Sequence, residues 1–369
     1  MREVALARLS AVDPTAYART RNHLEGAVTG LSPYLTHGLI SVPECVQALA
    51  LPPQHKLTYE FGWREYFRHV WSHRGDGIFD SIHAGPRPDT SYARTLPEDI
   101  RQAATEVPVI DQAVRELYAT GLLHNHARMW LASYLVHLRK VHWRVGADWL
   151  YGHLLDGDLA SNHLSWQWVA GTGSHKPYLF DAANVARFAP RTWHSWGSAI
   201  DLSRDMLDAV AASPDALPAG SGKVRGRGLG QPVTEPAVFH TPRGWPVPDK
   251  PAPGADVWLA HPWALGEPPA GATVIGVAIQ EAHADWAWSA QRWAWVEQRM
   301  RQLTDRLWFG TAQELATALQ GAARVRTVGN PHIDRWLPPG AEVAPEPLHF
   351  RKVDTLCGSF SKWWSRVSE

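Results

Sequence analysis

The chain has 369 residues, enough to bury one large core or two ordinary ones. Lys plus Arg and Asp plus Glu both number 36, so bulk charge gives no argument for nucleic-acid binding, although a local basic face stays open. Cys45 and Cys357 are the only cysteines, too few for a disulfide framework or an all-cysteine iron–sulfur site, so a reduced cytoplasmic setting and no metal are expected. The N-terminus lacks the continuous apolar stretch of a signal peptide and no run approaches membrane-span length, so the expectation is a soluble intracellular protein, taken as a monomer.

From Pro14 to about Ala212 the pattern is mainly helical. GLISVPECVQALAL, LTYEFGWREYFRHVWSHR, VIDQAVRELYATGLL and HNHARMWLASYLVHLRKVHW place apolar residues at helical spacing. Ser32-Pro33 and Ser41-Val42-Pro43 read as helix starts, with Ser as N-cap and Pro in the first turn. Asp80 to Pro97 is polar and aperiodic, a long surface connection. Ser213 to Gly254 holds nine prolines and seven glycines in 42 residues and reads as a linker. Its KVRGRG piece (Lys223, Arg225, Arg227) reads as a solvated loop rather than a phosphate contact. Beyond it, DVWLAH, ATVIGVAI, DRLWFG and ARVRTV read as short buried strands. They alternate with the helical AWSAQRWAWVEQRMRQL and TAQELATALQG, the texture of a small parallel α/β layer. The tail FRKVDTLCGSFSKWWSRV reads as an extended segment followed by a helix. The expected organisation is a mainly α protein: a helical domain over 1–212, a linker over 213–254 and a smaller α/β, Rossmann-like region over 255–369.

The chemistry concentrates between Thr120 and Tyr178. Asn125, Arg128 and Met129 lie at i, i+3 and i+4, on one helix face. A buried Arg needs a carboxylate, and Asp156 and Asp158 offer two at i and i+2. An isoalloxazine ring presents an imide N–H to a carboxylate and carbonyl oxygens and N5 to an Arg and an Asn. Taken alone, the pair reads better as a buried ion pair between helices. Asn162 and Trp166 share a face at i, i+4, with Trp143 upstream. Core packing accounts for most of the twenty tryptophans, but an indole beside a flavin can reduce it after photoexcitation and a second can relay the hole outward.

TGLLHNHARM, DGDLASN, WQW and the closing PY, in this order, resemble the FAD-binding helical domain of the DNA photolyase and cryptochrome family. YARTRNHLEGAVTGLSPYLTHGLIS, EFGWREYFRHV and VIDQAVREL extend the resemblance over roughly residues 15–190. The resemblance implies a folded, U-shaped FAD. Tyr17, Thr29, Leu31 and Ser32 would contact its diphosphate and ribityl part, and Arg64 would lie near its phosphates. Arg128 and Asp156 would pair beside the ring, Asp158 would accept from the imide and Asn162 would approach N5. Glu60 and Trp63, joined by Asn125 and Met129, would face a pocket for a lesion flipped out of UV-damaged DNA. Trp166 and Trp143 match the inner members of the family's electron-transfer chain. Arg64, Arg68, His69, Arg74 and Lys176 are candidates for a basic rim.

This chain also departs from the family pattern. The third, surface Trp of the relay has no counterpart near Thr90–Tyr92, which leaves Tyr92 or another indole to end it. The phosphate loop reads AVTG, with Gly30 where an Arg is usual and one residue inserted. The Trp of TGW is Leu122, and NNGGW reads NHLSW, placing His163, Leu164 and Ser165 close to the ring. Met129 stands where (6-4)-specific members carry a second His, which favours cyclobutane-dimer chemistry; His124 is shared by both branches. Family members usually carry an α/β antenna domain first, so the α/β region here is either a relocated, circularly permuted version or an unrelated extension. VWLAHPWAL lacks the arginines that open the antenna domain, which speaks against an antenna chromophore. The resemblance thus implies a light-driven lyase that splits cyclobutane pyrimidine dimers by electron transfer from photoexcited reduced FAD. The alternatives are a cryptochrome-like blue-light sensor without repair, or a non-redox nucleic-acid-binding or structural derivative lacking FAD.

Overall fold

Capping chemistry sets most of the helix boundaries in the computed structural model, which describes residues 1–174, 176–218, 230–251 and 253–368. Lys223, Arg225 and Arg227 lie outside the described residues. Asp13 accepts from the N–H groups of Thr15 and Ala16 to start Pro14–Thr20. Ser41 and Glu44 form a reciprocal capping box on Val42–Ala48. Ser32 differs from expectation: it is the first residue of Ser32–Thr36, whose cap position is Leu31 and carries no side-chain bond. The 19-residue Lys56–Arg74 helix stops at Gly75, and Pro108–Thr120 stops at the left-handed Gly121.

The long HNHARMW run breaks where periodicity predicts continuity. Asn125–Ser133 passes into one π turn over Tyr134–Leu138, and Lys140 takes φ 53°. The Lys140 ammonium donates to the carbonyls of His137, Val210 and Ala211, which holds the break, and Trp143–His153 begins on a new axis. Asp158 caps Leu159–Ala170 by accepting from Ser161 N–H.

The strands are β1 (Val238–Phe239), β2 (Asp256–Ala260), β3 (Thr273–Ile279), β4 (Trp288–Ser289), β5 (Leu307–Gly310), β6 (Arg324–Val328) and β7 (Glu342–Ala344). Five form a parallel sheet in the order β5-β3-β2-β6-β7, with Val257 opposite Thr273, Gly276 opposite Leu307 and Asp256 opposite Arg324. In chain order these are the third, second, first, fourth and fifth sheet strands, the doubly wound arrangement that opens a crevice between the first and fourth. The four predicted strands are all present. Sequence reading missed β7, whose three residues are exposed and carry no apolar alternation, and the two-residue β1–β4 pair.

Among the described residues two large hydrophobic cores, with a small third cluster at Leu179, Leu207 and Ala211, divide the molecule, and neither large core follows the linker. One joins the first eighty residues to the α/β region, from Leu9, Leu39 and Phe61 to Leu259, Val277, Trp288 and Trp363. The other, from Ile110 and Trp130 to Trp143, Trp166 and Ile200, lies within the helical part. The described end of the Pro/Gly-rich segment is strapped to the second: Val233 N–H donates to Gln102 O, and Glu235 accepts from Arg101, Trp149 and His153.

Candidate functional site

Arg128, on Asn125–Ser133, donates through Nη2 to both carboxylate oxygens of Asp156 at 2.9 and 2.8 Å, and through Nε to Leu123 O at 2.8 Å. Asn125 Nδ2 lies 3.6 Å from Met129 Sδ, so this helix face carries all three predicted residues together. The Asp156 carbonyl accepts from Thr36 Oγ1 at 3.2 Å, and the same hydroxyl accepts from Arg64 Nη1 at 3.2 Å. Thr36 ends the Ser32–Thr36 helix, so that helix, Arg64 and the Arg128–Asp156 pair form one bonded network. Arg64 Nη2 is buried there without an acceptor. Just before the helix, Leu31 is buried in the core and Thr29 Oγ1 accepts from its N–H at 3.3 Å. Ser32 is exposed.

Asp158 has a different neighbourhood from the one its motif implies. Its carboxylate is 2% exposed, lies 2.8 Å from Arg68 Nη1 and 3.8 Å from His332 Nε2, and caps its own helix. Burial alone would raise its pKa, but the guanidiniums of Arg68 and Arg64 outweigh burial and hold it well below the usual carboxylate range. Arg68 also pairs with Glu346 at 3.2 Å. Arg68 is therefore a buried structural cation, not part of a basic rim, and His69, also buried, accepts from Cys357 N–H at 2.9 Å. Of the five rim candidates, Lys176 is exposed and Arg64 and Arg74 are half-buried.

The Asp156-Gly157-Asp158 turn is clamped by a residue that sequence reasoning missed. Arg292, fully buried on Ala290–Leu303, donates to Tyr151 O at 2.8 Å and Gly157 O at 2.6 Å, with its guanidinium 3.9 Å from the Trp288 ring centroid. A Cβ on Gly157 would meet Arg292 Nη1 at 2.5 Å, so the glycine is required by the clamp. His332 Nε2 accepts from Leu159 N–H at 3.1 Å. Both contacts come from more than 130 residues away, and only an RWAW pattern and a lone His marked them in the sequence.

Asn162 Nδ2 donates to Ala147 O at 2.8 Å, tying the Leu159–Ala170 helix to Trp143–His153. Trp166 packs on that second helix so closely that a Cβ on Gly146 would sit 2.3 Å from its Cη2. Trp143, one turn before Gly146, is buried and donates from Nε1 to Ser81 Oγ at 2.9 Å. The two indoles thus flank one helical turn.

Glu60 pairs with Lys56 at 2.8 Å and Arg21 at 3.4 Å. Tyr17 is close by: burial first, then the Glu60 charge, push its phenol up. Trp63 stacks on Phe360 of the C-terminal helix, Phe360–Val367, with centroids 4.0 Å apart and planes 10° apart. That partner was not foreseen.

The donor set fits a flavin dinucleotide at its phosphate end, where Arg64 keeps an unpaired buried N–H at the Ser32–Thr36 helix. The Arg128–Asp156 pair matches the donor and acceptor that the resemblance sets beside the ring. Asp158 is already engaged by Arg68. Among the described residues, no group of three or more His, Cys, Asp or Glu is placed to hold a metal ion, and no helix is long and apolar enough to cross a membrane.

Residues 57–194 match the FAD binding domain of DNA photolyase. The chain is 30% identical over 212 residues to Cryptochrome DASH of Idiomarina loihiensis, covering 53% of this chain and 47% of that protein. It is 33% identical over 186 residues to the deoxyribodipyrimidine photo-lyase of a Synechococcus species, covering 44% and 37%. These alignments span less than half of either relative. An archaeal photolyase from Sulfolobus tokodaii, solved with two FAD molecules, is similar at a TM-score of 0.46 and 25% identity, over 57% of this chain and 49% of that one.

Proposed function

The chain belongs to the DNA photolyase and cryptochrome family through its FAD-binding domain, and from that premise we propose that it is a light-driven flavoprotein that splits cyclobutane pyrimidine dimers in DNA. The observation that carries this reading is the bonded network of Arg128, Asp156, Thr36 and Arg64, with its one unanswered buried donor at Arg64 Nη2. FAD, when bound, supplies the photoexcited electron donor. Arg64 would meet its phosphates beside Tyr17, Thr29, Leu31 and Ser32, and Arg128 and Asp156 would hold their fixed charges beside its ring. Asn162 and Asp158 set the helix that carries Trp166, and Trp166 and Trp143 would supply electrons to the cofactor. Glu60, Trp63, Asn125 and Met129 receive the flipped lesion, where position and exclusion of water matter more than acid–base power.

A blue-light sensor is the second reading, and one observation favours it: Phe360 covers a face of Trp63 on which a base would stack. The α/β region we read as a relocated antenna-type domain, supported by its doubly wound strand order. The lost arginines of VWLAHPWAL speak against a second chromophore there, so the purified protein should absorb as a flavin alone. The deciding experiment is repair of a dimer-containing oligonucleotide under blue light against a dark control. Restoration in the light supports repair. FAD present without restoration leaves the sensor, and a colourless protein overturns both readings.

A further inference from the structure

A cavity of about 460 Å3 lies under the 81–92 connection, and the buried Trp143 forms part of its wall. Val136 and Ala170 give it an apolar floor, and Arg87, Asp89 and Tyr92 give it a polar side. The size suits a small organic ligand, and the charges suit an anion. The Asp89 carboxylate is held by both His142 and Arg94, so its negative charge is answered. Arg87 is not fully answered. Its Nη1 donates to the carbonyls of Ala212 and Ser213 at 3.2 and 2.9 Å, while its Nε is buried with no acceptor. Arg87 lines the cavity, and a carboxylate or enolate oxygen bound there would answer its charge. The position matters because Trp143 is the outer of the two indoles, and no third Trp stands near Thr90–Tyr92 to carry the hole onward.

We propose that this cavity binds a small, planar, anionic one-electron donor of the enediolate class, held by Arg87 against Trp143, in place of a third relay tryptophan. The inference rests on the FAD reading above. In the step, one electron leaves Trp166 for the photoexcited cofactor, and Trp166 is refilled from Trp143. The Trp143 cation radical takes one electron from the bound enediolate. The donor loses its remaining hydroxyl proton to water and departs as its one-electron-oxidised radical; both indoles end as they began.

Ascorbate is the probe. Calorimetric titration in the dark, without oxygen, should show binding to the wild-type chain with or without FAD. Binding should weaken at least about tenfold in Arg87→Ala, which removes a charge-assisted contact. Because Arg87 also anchors two backbone carbonyls, Ala84→Trp serves as the second variant: it fills the cavity from an exposed rim position. Photoreduction should saturate with ascorbate at the concentration that titration gives, and should become slow and linear in both variants, with FAD content unchanged. Equal binding by wild type and both variants, or linear photoreduction in wild type, overturns the inference while leaving the FAD reading in place. A purified protein without FAD overturns that reading and this inference together.

Discussion

Gly146 shows how one missing methyl group sets the position of an indole. In a helix interior Ala is normally better than Gly by about 1 kcal/mol. Here the added Cβ would lie 2.3 Å from Trp166 Cη2 and 3.1 Å from Leu135 Cδ2, and Trp166 is buried with no room to retreat. Overpacking of this kind costs about 1–3 kcal/mol, so Gly146→Ala should lower the urea midpoint and slow photoreduction by moving the indole. A gain in stability would show that the ring has another place to go. Arg292 makes the complementary case. Its planar fork reaches two carbonyls at once, which a lysine ammonium cannot do. Arg292→Lys should cost about 1–3 kcal/mol through the carbonyl left unanswered and should release FAD more readily; an unchanged midpoint and FAD content would remove it from the site. At this scale the Arg128–Asp156 pair was legible because the residues between Thr120 and Tyr178 cluster within sixty positions. Arg292, His332 and the true partner of Asp158 were not. Arg68 sits one turn from Arg64 and reads as a candidate for the basic rim, whereas in the structure it is buried between Asp158 and Glu346.

The C-terminal helix is the element whose role its own pattern least revealed. FSKWW reads as the start of a closing helix, and the structure gives its aromatic residues a destination: Phe360 against Trp63 and Tyr59, and Trp364 against Gly62, where a Cβ would come within 2.6 Å of the indole. Glu65 on the same long helix accepts from the N–H groups of His349 and Phe350 and so anchors the approach to it. If the covered face of Trp63 receives a lesion, Phe360→Ala should tighten binding of dimer-containing DNA while lowering overall stability by about 3 kcal/mol or more. Unaltered DNA affinity, measured by fluorescence anisotropy beside the melting curve, would mean that the stack is packing alone. Elements were otherwise legible wherever period and cap agreed, as at Val42–Ala48 and β3. They failed where contacts from elsewhere overrode the local pattern, as the carbonyls of Val210 and Ala211 do by holding Lys140 at the break in the HNHARMW run.

Across the whole molecule, the core shared by the N-terminal helices and the α/β region is built around buried imidazoles. His37 bridges the two parts: its ring contacts the carbonyls of Leu155 and Pro262. Those carbonyls favour a charged ring, but burial, helped by the Arg292 charge, prevails and pushes it down to about 4. Burial likewise pushes His261 down to about 4 and His283 to about 3, and in the second, helical core it pushes His137 down to about 4. His332 is also held well below its ordinary value by burial, against the pull of Asp158. Between about pH 6.5 and about pH 4 the unfolded chain therefore binds protons that the folded chain refuses, so stability falls as pH falls, by about 3 kcal/mol for each ring pushed down to about 4. Glu65 works in the opposite sense. Burial raises it to about 7, so its contribution is present below about pH 4.5 and lost as pH rises toward 7. Burial raises Asp111, Glu116 and Asp334 as well, but the imidazoles that burial pushes down, His69 and His124 among them, outnumber these carboxyls. The urea midpoint should climb steadily from pH 4.5 to about 6.5 and then level off, and His261→Gln should flatten the climb by roughly one proton. A midpoint independent of pH over that window would mean that these rings are charged in the folded protein, and that the shared core is not what joins the helical part to the sheet.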